Sequence, residues 1–289
     1  AVLSMIEGTE VAAVRTIHGR DAELGWLEQQ LDRLAIGSGG VAVLVGPSGI
    51  GRTAILEVFV ERARRRGHVV AAASGTRVGV IEQLAAQFPT DSSLGEGVCR
   101  GPCVLVVDDL DRLEAQAMST LTDMVRSRVA IEGLPILLVG SVEGVAGVAA
   151  GLVTGADTGL SSQRLDLTGI DREATIAIVR EQGVGGAMAA ALGRRLAEEL
   201  QGSPGAIVEQ IGALVQAGWL VPSGGGVLRA SCGMSALKND PLPLPERIRH
   251  QEASRIESLS APLRKVFDVL VVLDMEATIE LVADISGID

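Results

Sequence analysis

The segment VAVLVGPSGIGRT, residues 41 to 53, joins five consecutive apolar residues to a loop with three glycines and then to a helix-forming run. An apolar run of that length, bounded by glycine, predicts a strand buried on both faces. Gly46, Gly49 and Gly51 let the backbone curl where a Cβ would obstruct it. The helix predicted over 52–66 then opens with unpaired N–H groups at the loop, an arrangement that suits phosphate oxygens. A buried strand feeding a helix through such a loop belongs to layered α/β architecture.

The loop departs from the phosphate-binding pattern at one position: Arg52 stands where a lysine is usual. Its positive charge can still reach outer phosphates, but a planar fork does not fill the space of a compact ammonium. Thr53 offers a hydroxyl to Mg2+. A second element, VLVVDD at 104–109, places Asp108 and Asp109 at the carboxyl end of another apolar strand. An acidic pair there can hold Mg2+ and orient an attacking water. Either motif alone is also compatible with an ordinary strand exit, where Asp is common; in this order they support each other.

Other strands are predicted at 68–74, 103–107 and 135–139, with a short fifth over 163–170. Helices at 79–88 and 115–128 alternate with them, which means a parallel sheet covered on both faces. Ahead of the sheet, Leu24, Leu27, Leu31 and Leu34 form one face of an amphipathic helix. Asp21 is its expected cap, Trp26 borders the stripe, and Glu28, Gln29 and Gln30 are assigned to the solvent side. Helices follow at 171–182, 187–201 and 203–217, then a hairpin or loop with Gly224 to Gly226 at its tip. A proline-punctuated linker precedes helices at 246–257, 260–272 and 276–286.

Only 2% of residues are aromatic and none is tyrosine, so Val, Leu, Ile and Ala must build the core. The formal charge of −11 gives no global attraction for nucleic-acid backbones. Arg62, Arg64, Arg65 and Arg66 end a predicted helix and read as dipole-complementing, solvated cations. Cys99, Cys103 and Cys232 have no framework spacing and read as ordinary thiols in a reducing compartment. His18, His68 and His250 are isolated, so spacing assembles no metal shell or nucleophile triad. Without a signal pattern or an apolar run near the ~20 residues of a membrane helix, a soluble cytoplasmic protein is expected.

Taken in order, HGRDAEL, GPSGIGRT, VLVVDDLDRLE, GSPGAI and LPERIRHQEASRIESLSAPLRKVF resemble the STAND class of signal-transduction NTPases. The likeness is greatest to the large ATP-binding LuxR-type bacterial transcription regulators, and it runs over residues 17–289. The resemblance implies a P-loop NTPase sheet of order 5-1-4-3-2, a helical lid and the start of a winged-helix domain. The divisions it suggests are a leader at 1–16, a nucleotide-binding domain at 17–160 and a lid at 161–220. A linker at 221–245 and the winged-helix start at 246–289 complete them, with the ending LVADISGID inside that domain suggesting truncation.

By the same resemblance, Gly19 and Arg20 lie beside the nucleotide and Pro204 packs on its base. Gly46, Pro47, Ser48, Gly49, Ile50, Gly51, Arg52, Thr53 and Ala54 hold ATP or ADP. Thr53 and Asp108 hold Mg2+, and Asp108 and Asp109 form the catalytic acids, Asp109 positioning water. Relatives carry an arginine soon after the fourth strand; Ser141 and Val142 leave that sensor role open. The implied behaviour is a switch: ADP keeps it closed, ATP with a small-molecule or protein inducer opens it to self-association. DNA contact falls to a region outside this chain. With Arg52 in place, binding is expected with hydrolysis slow or absent. The rival readings are an AAA+ motor, for which Arg172, Arg194 and Arg195 are the candidate lid arginines, and a scaffold that binds no nucleotide. A small-molecule kinase is more distant.

Overall fold

The computed structural model describes residues 16–77, 79–87, 102–130, 135–144, 150–154, 161–231 and 240–273, with isolated Leu237, Thr278 and Ile285. Cys99 and Cys232, the expected leader up to residue 15, and nearly all of the helix expected at 276–286 lie outside the described residues. The chain divides into two compact units, one ending at Val208 and one beginning at Glu209.

The first unit is built on a parallel sheet of β1 (Gly40–Val45), β2 (Val69–Ser74), β3 (Cys103–Asp108), β4 (Ile136–Val142) and β5 (Ser162–Asp166). The order across the sheet is β2-β3-β4-β1-β5, the arrangement expected above when read from the other edge. Period-2 alternation divides β1 to β4 between two cores. Val41, Val43, Leu105, Val107 and Leu138 face one core, completed by α3 (Val80–Ala86), α4 (Ala115–Ala130) and α5 (Ala150–Thr154). Ala42, Leu44, Val104, Val106 and Val139 face the other, beneath α1 (Asp21–Ala35) and α2 (Arg52–Arg65). Burial on both sides explains why these strands read as continuous apolar runs.

On the second face, Leu24, Leu27, Leu31 and Leu34 of α1 meet Ile55, Leu56 and Phe59 of α2. The cations that close α2 are used locally. Arg62 lies 2.6 Å from Glu28, and Arg66 reaches Glu28 at 3.1 Å and Asp32 at 3.0 Å. These pairs stitch α2 to α1 at the surface, as expected of solvated arginines.

Two expectations for α1 are corrected. Asp21 is its first residue rather than its cap; Arg20 holds the cap position and no side chain caps the helix. Asp21 and Glu23 sit instead in the first turn, where carboxylates complement the positive helix end. Gln30 is buried rather than solvent-facing, its amide donating to Gln163 Oε1 at 3.0 Å. A buried amide needs a hydrogen-bond partner, and this one, on half-buried Gln163, lies 133 residues away, out of reach of a local stripe.

β5 leads into α6 (Arg172–Glu181), α7 (Gly186–Glu199) and α8 (Pro204–Gln216). Asp171 caps α6, its Oδ1 accepting from the Ala174 N–H at 2.7 Å. α6 and α7 pack closely because Gly193 has no side chain; a Cβ there would meet Ile176 Cγ1 at 2.7 Å. The second unit holds the hairpin β6 (Leu220–Pro222) and β7 (Leu228–Ala230), then α9 (Glu246–Glu257) and α10 (Ala261–Leu273). Its turn runs through Gly224, Gly225 and Gly226, all at positive φ. Gln210 donates to the Pro243 carbonyl at 2.7 Å, and Arg247 pairs with Glu209 at 2.8 Å. Among the described residues, no helix is long and apolar enough to cross a membrane.

Phe59 is fully buried between α1 and the sheet. Phe59→Ala is expected to lower stability by about 3–5 kcal/mol, read as a lower urea midpoint with an unchanged denaturant slope.

Candidate functional site

The register brings the carboxyl ends of three strands together. Val45 pairs with Val142 across β1 and β4, and Val107 with Gly140 across β3 and β4. The glycine loop leaving β1, the acidic pair leaving β3 and the end of β4 therefore share one edge, where open α/β sheets place their ligands.

Gly46 is tied to β4 by its N–H on the Val142 carbonyl at 3.1 Å. Pro47, Ser48 and Gly49 are exposed at the tip, while Ile50 turns its side chain into the core under α1. Gly49 and Gly51 have φ of 81° and 103°, in the left-handed region that favours glycine. Gly51 occupies the cap position of α2, and no side chain caps that helix. The helix end thus presents its partial positive charge to the loop.

Two clamps fix this loop from outside. Arg20 is buried; it donates through Nη2 to the Ile50 carbonyl at 2.7 Å and through Nη1 to Glu23 at 2.8 Å. It positions the loop's backbone. On the other side, the Gly205 N–H donates to the Gly49 carbonyl at 2.8 Å, and a Cβ on Gly205 would fall 2.8 Å from Gly49 Cα. Ser203 Oγ adds a weaker bond to the same carbonyl at 3.3 Å. Gly19, at φ 67°, admits α6: a Cβ there would lie 2.6 Å from Ala174 Cβ.

Between these clamps is a cavity of about 240 Å³. Arg20, Gly51, Ala54 and Pro204, all singled out in the sequence, line it. So do His18, Ile55, Ile178, Glu181, Gln182 and Val208, which sequence reasoning did not assign to a site. His18 Nε2 lies 3.3 Å from Glu181 Oε2, linking the residue before Gly19 to the last turn of α6.

The first residues of α2 meet the acids of β3. Thr53 Oγ1 donates to Asp108 Oδ2 at 2.6 Å, and Arg52 Nη2 donates to Asp109 Oδ1 at 3.1 Å. Arg52 is itself buried, and its Nη1 has no hydrogen-bond partner among the described residues. Ser141, fully buried at the end of β4, donates its hydroxyl to Asp108 Oδ1 and accepts the Asp109 N–H at 3.0 Å. Because β4 was expected beside β3, the signal was available: Ser141 follows Gly140, the partner of Val107, and so flanks Asp108.

Asp109 has φ 52°, left-handed for a non-glycine residue. Burial, then the neighbouring Asp108 carboxylate, raises its carboxyl above the ordinary range, while Arg52 and Arg112 pull it back. The three candidate lid arginines are engaged on their own helices or the next. Arg172 lies 3.6 Å from Glu198 and Arg195 2.6 Å from Glu199, while Arg194 Nε donates to the Ala190 carbonyl at 3.1 Å.

A phosphate and a metal ion fit these residues. An uncapped helix entrance, two glycines at positive φ and a buried guanidinium nitrogen without a partner suit an anion. A hydroxyl against a carboxylate offers hard oxygen donors. Among the described residues, no cluster of three or more His, Cys, Asp and Glu could hold a metal alone.

Residues 16–97 match the AAA ATPase domain family. Among solved structures, the Aeropyrum pernix ORC2 protein in its ADPNP-ADP complexes aligns with 96% of this chain and 81% of its own, at TM-score 0.56 and 14% identity. The fold is of the AAA+ ATPase type. Cdc6p from Pyrobaculum aerophilum shares this AAA+-type fold at TM-score 0.53 and 15% identity, over 96% of this chain and 82% of that one. Drosophila ORC bound to DNA shares it at TM-score 0.54 and 14% identity, over 96% and 75%. Among curated proteins, none matches the chain in sequence.

Two outcomes are expected from the acids. The folded state holds a proton on Asp109 more tightly than the unfolded chain, so the stability this contributes at low pH is lost as pH rises through the raised value. Melting temperatures of wild type and Asp109→Asn should therefore diverge in favour of the variant as pH rises above the ordinary carboxylate value of about 4. Ser141→Ala removes a buried bond to Asp108 and should cost about 1–3 kcal/mol, measured by urea denaturation.

Proposed function

We propose that this chain is the nucleotide-binding portion of a signalling switch of the STAND class, as in LuxR-type bacterial transcription regulators, that binds adenine nucleotide and hydrolyses it slowly or not at all. One observation carries the reading: the cavity walled by Gly51, Ala54 and Pro204 adjoins an uncapped helix end whose first residues touch Asp108 and Asp109. A base in the cavity and phosphates at the helix end would use both features of one ligand. The ADP and ADPNP-ADP forms of the structurally similar ORC2 protein support an adenine nucleotide.

In this reading Gly46 to Ala54 cradle the phosphates, Arg20 and Gly19 shape the base side, and Pro204 packs on the base. Thr53 and Asp108 would hold Mg2+, which when bound supplies positive charge to the phosphate oxygens. Asp109 orients water. The bond from Gly205 to Gly49 supports the reading of a lid drawn onto the loop, the state ADP would favour. Residues 161–220 serve as that lid and 246–289 as the start of a winged-helix domain, with 221–245 between them. ATP and an inducer would release the lid and permit self-association. DNA contact is assigned to a region outside this chain, which agrees with the charge of −11, and the cytoplasm is the proposed compartment.

The AAA ATPase domain match keeps an active motor as the second reading. The local engagement of Arg172, Arg194 and Arg195 favours the switch over it.

Saturating ADP should raise the melting temperature by mass action, by an amount equivalent to about 2.7 kcal/mol at a hundredfold excess over Kd. An unchanged melting temperature would mean a scaffold without a ligand. ATP turnover is expected below about one per minute, far under the ~1–10³ s⁻¹ of ordinary enzymes. Faster turnover lost in Asp109→Asn, with hexamers formed in ATP, would establish the motor instead.

A further inference from the structure

We propose that Arg52 is a restraint on Asp109: its guanidinium engages the water-orienting carboxylate through one nitrogen, leaves the other for phosphate, and so separates nucleotide binding from hydrolysis. The inference rests on the nucleotide-binding reading and deepens it by naming the residue that keeps turnover slow.

The geometry is a divided fork. Arg52 Nη2 donates to Asp109 Oδ1 at 3.1 Å, while Nη1 is buried and has no partner. A buried donor left unmade is costly, and an anion at the loop would satisfy it. Arginine can serve two acceptors from a rigid plane, whereas the single ammonium of lysine is a compact point charge. With phosphate present, a lysine here would be drawn to it and would leave Asp109 free. The arginine has a nitrogen for each.

Asp109 has little freedom to escape. Its backbone is left-handed, and its N–H is shared between Ser141 Oγ at 3.0 Å and Asp108 Oδ1 at 3.1 Å. Its side chain is 21% exposed, enough to meet water.

Hydrolysis places a specific demand on this group. The oxygen of water forms a bond to the γ-phosphorus as the bridging P–O bond breaks and its electron pair leaves with ADP. The proton lost by water is accepted by the Asp109 carboxylate and passed to solvent, leaving inorganic phosphate. A carboxylate oxygen already accepting from a guanidinium is a weaker base and is not free to turn toward water. Arg52 therefore acts through Asp109, as a positioning residue.

Two variants test this: Arg52→Lys, and Arg52→Lys with Asp109→Asn. The probes are ADP stabilisation and single-turnover hydrolysis of ATP with Mg2+. Arg52→Lys is expected to bind ADP within about tenfold of wild type and to hydrolyse ATP at least ~10-fold faster, in the range of general-base effects. That gain should vanish in the double variant. The gain should lie in the chemical step while ADP affinity stays close to that of wild type, a split that loss of structural packing would not produce. The restraint is overturned if Arg52→Lys binds ADP yet turns over no faster, or if the gain survives loss of Asp109. If ADP stabilises neither wild type nor Arg52→Lys, the nucleotide reading itself fails and takes the restraint with it.

Discussion

Two adjacent carbonyls, those of Gly49 and Ile50, are held from opposite sides of one glycine loop. Arg20, just ahead of α1, donates to Ile50, and Gly205, in the first turn of α8, donates to Gly49. Loop backbone normally carries high mobility; here it is fixed by segments some 30 and 150 residues away. Fixing the carbonyls orients the adjoining N–H groups, and everything said of phosphate binding depends on that orientation. It also links the loop physically to α8, so a change at the tip is a change at the start of that helix.

The acids of β3 follow a similar economy. Asp108 is buried and receives Thr53 on one oxygen and Ser141 on the other. Asp109 receives Arg52 and lends its N–H to Ser141 and Asp108. Two strand ends and one helix thus share a single polar network inside an otherwise aliphatic sheet. Such a network is strong when every member is satisfied and costly when one is not. The unpartnered Nη1 of Arg52 is the place where this one is incomplete.

Local pattern made much of this legible. The apolar run at 41–45, its glycines and the Asp108–Asp109 pair are contiguous in sequence, and each carries a backbone requirement that few other arrangements meet. What escaped was contact between distant segments. Gln30 was assigned to solvent because its partner, Gln163, lies on β5. Ile178, Glu181 and Gln182 line the cavity only because Gly19 lets α6 come close, and Gly205 meets Gly49 only because Gly205 has no side chain. Ser141 is the instructive case. Nothing in its neighbours marks it, yet strand order together with parallel register places it beside Asp108.

The left-handed turn at Asp109 narrows the evolutionary paths open to that position. Asparagine and glycine tolerate such a backbone but lack a carboxylate, and glutamate keeps the charge without the short side chain that eases the conformation. Drift away from aspartate therefore runs downhill in strain toward residues that cannot accept a proton. A lineage that exchanged this carboxylate for glycine would gain backbone comfort, and recovering the acid would mean climbing back against it.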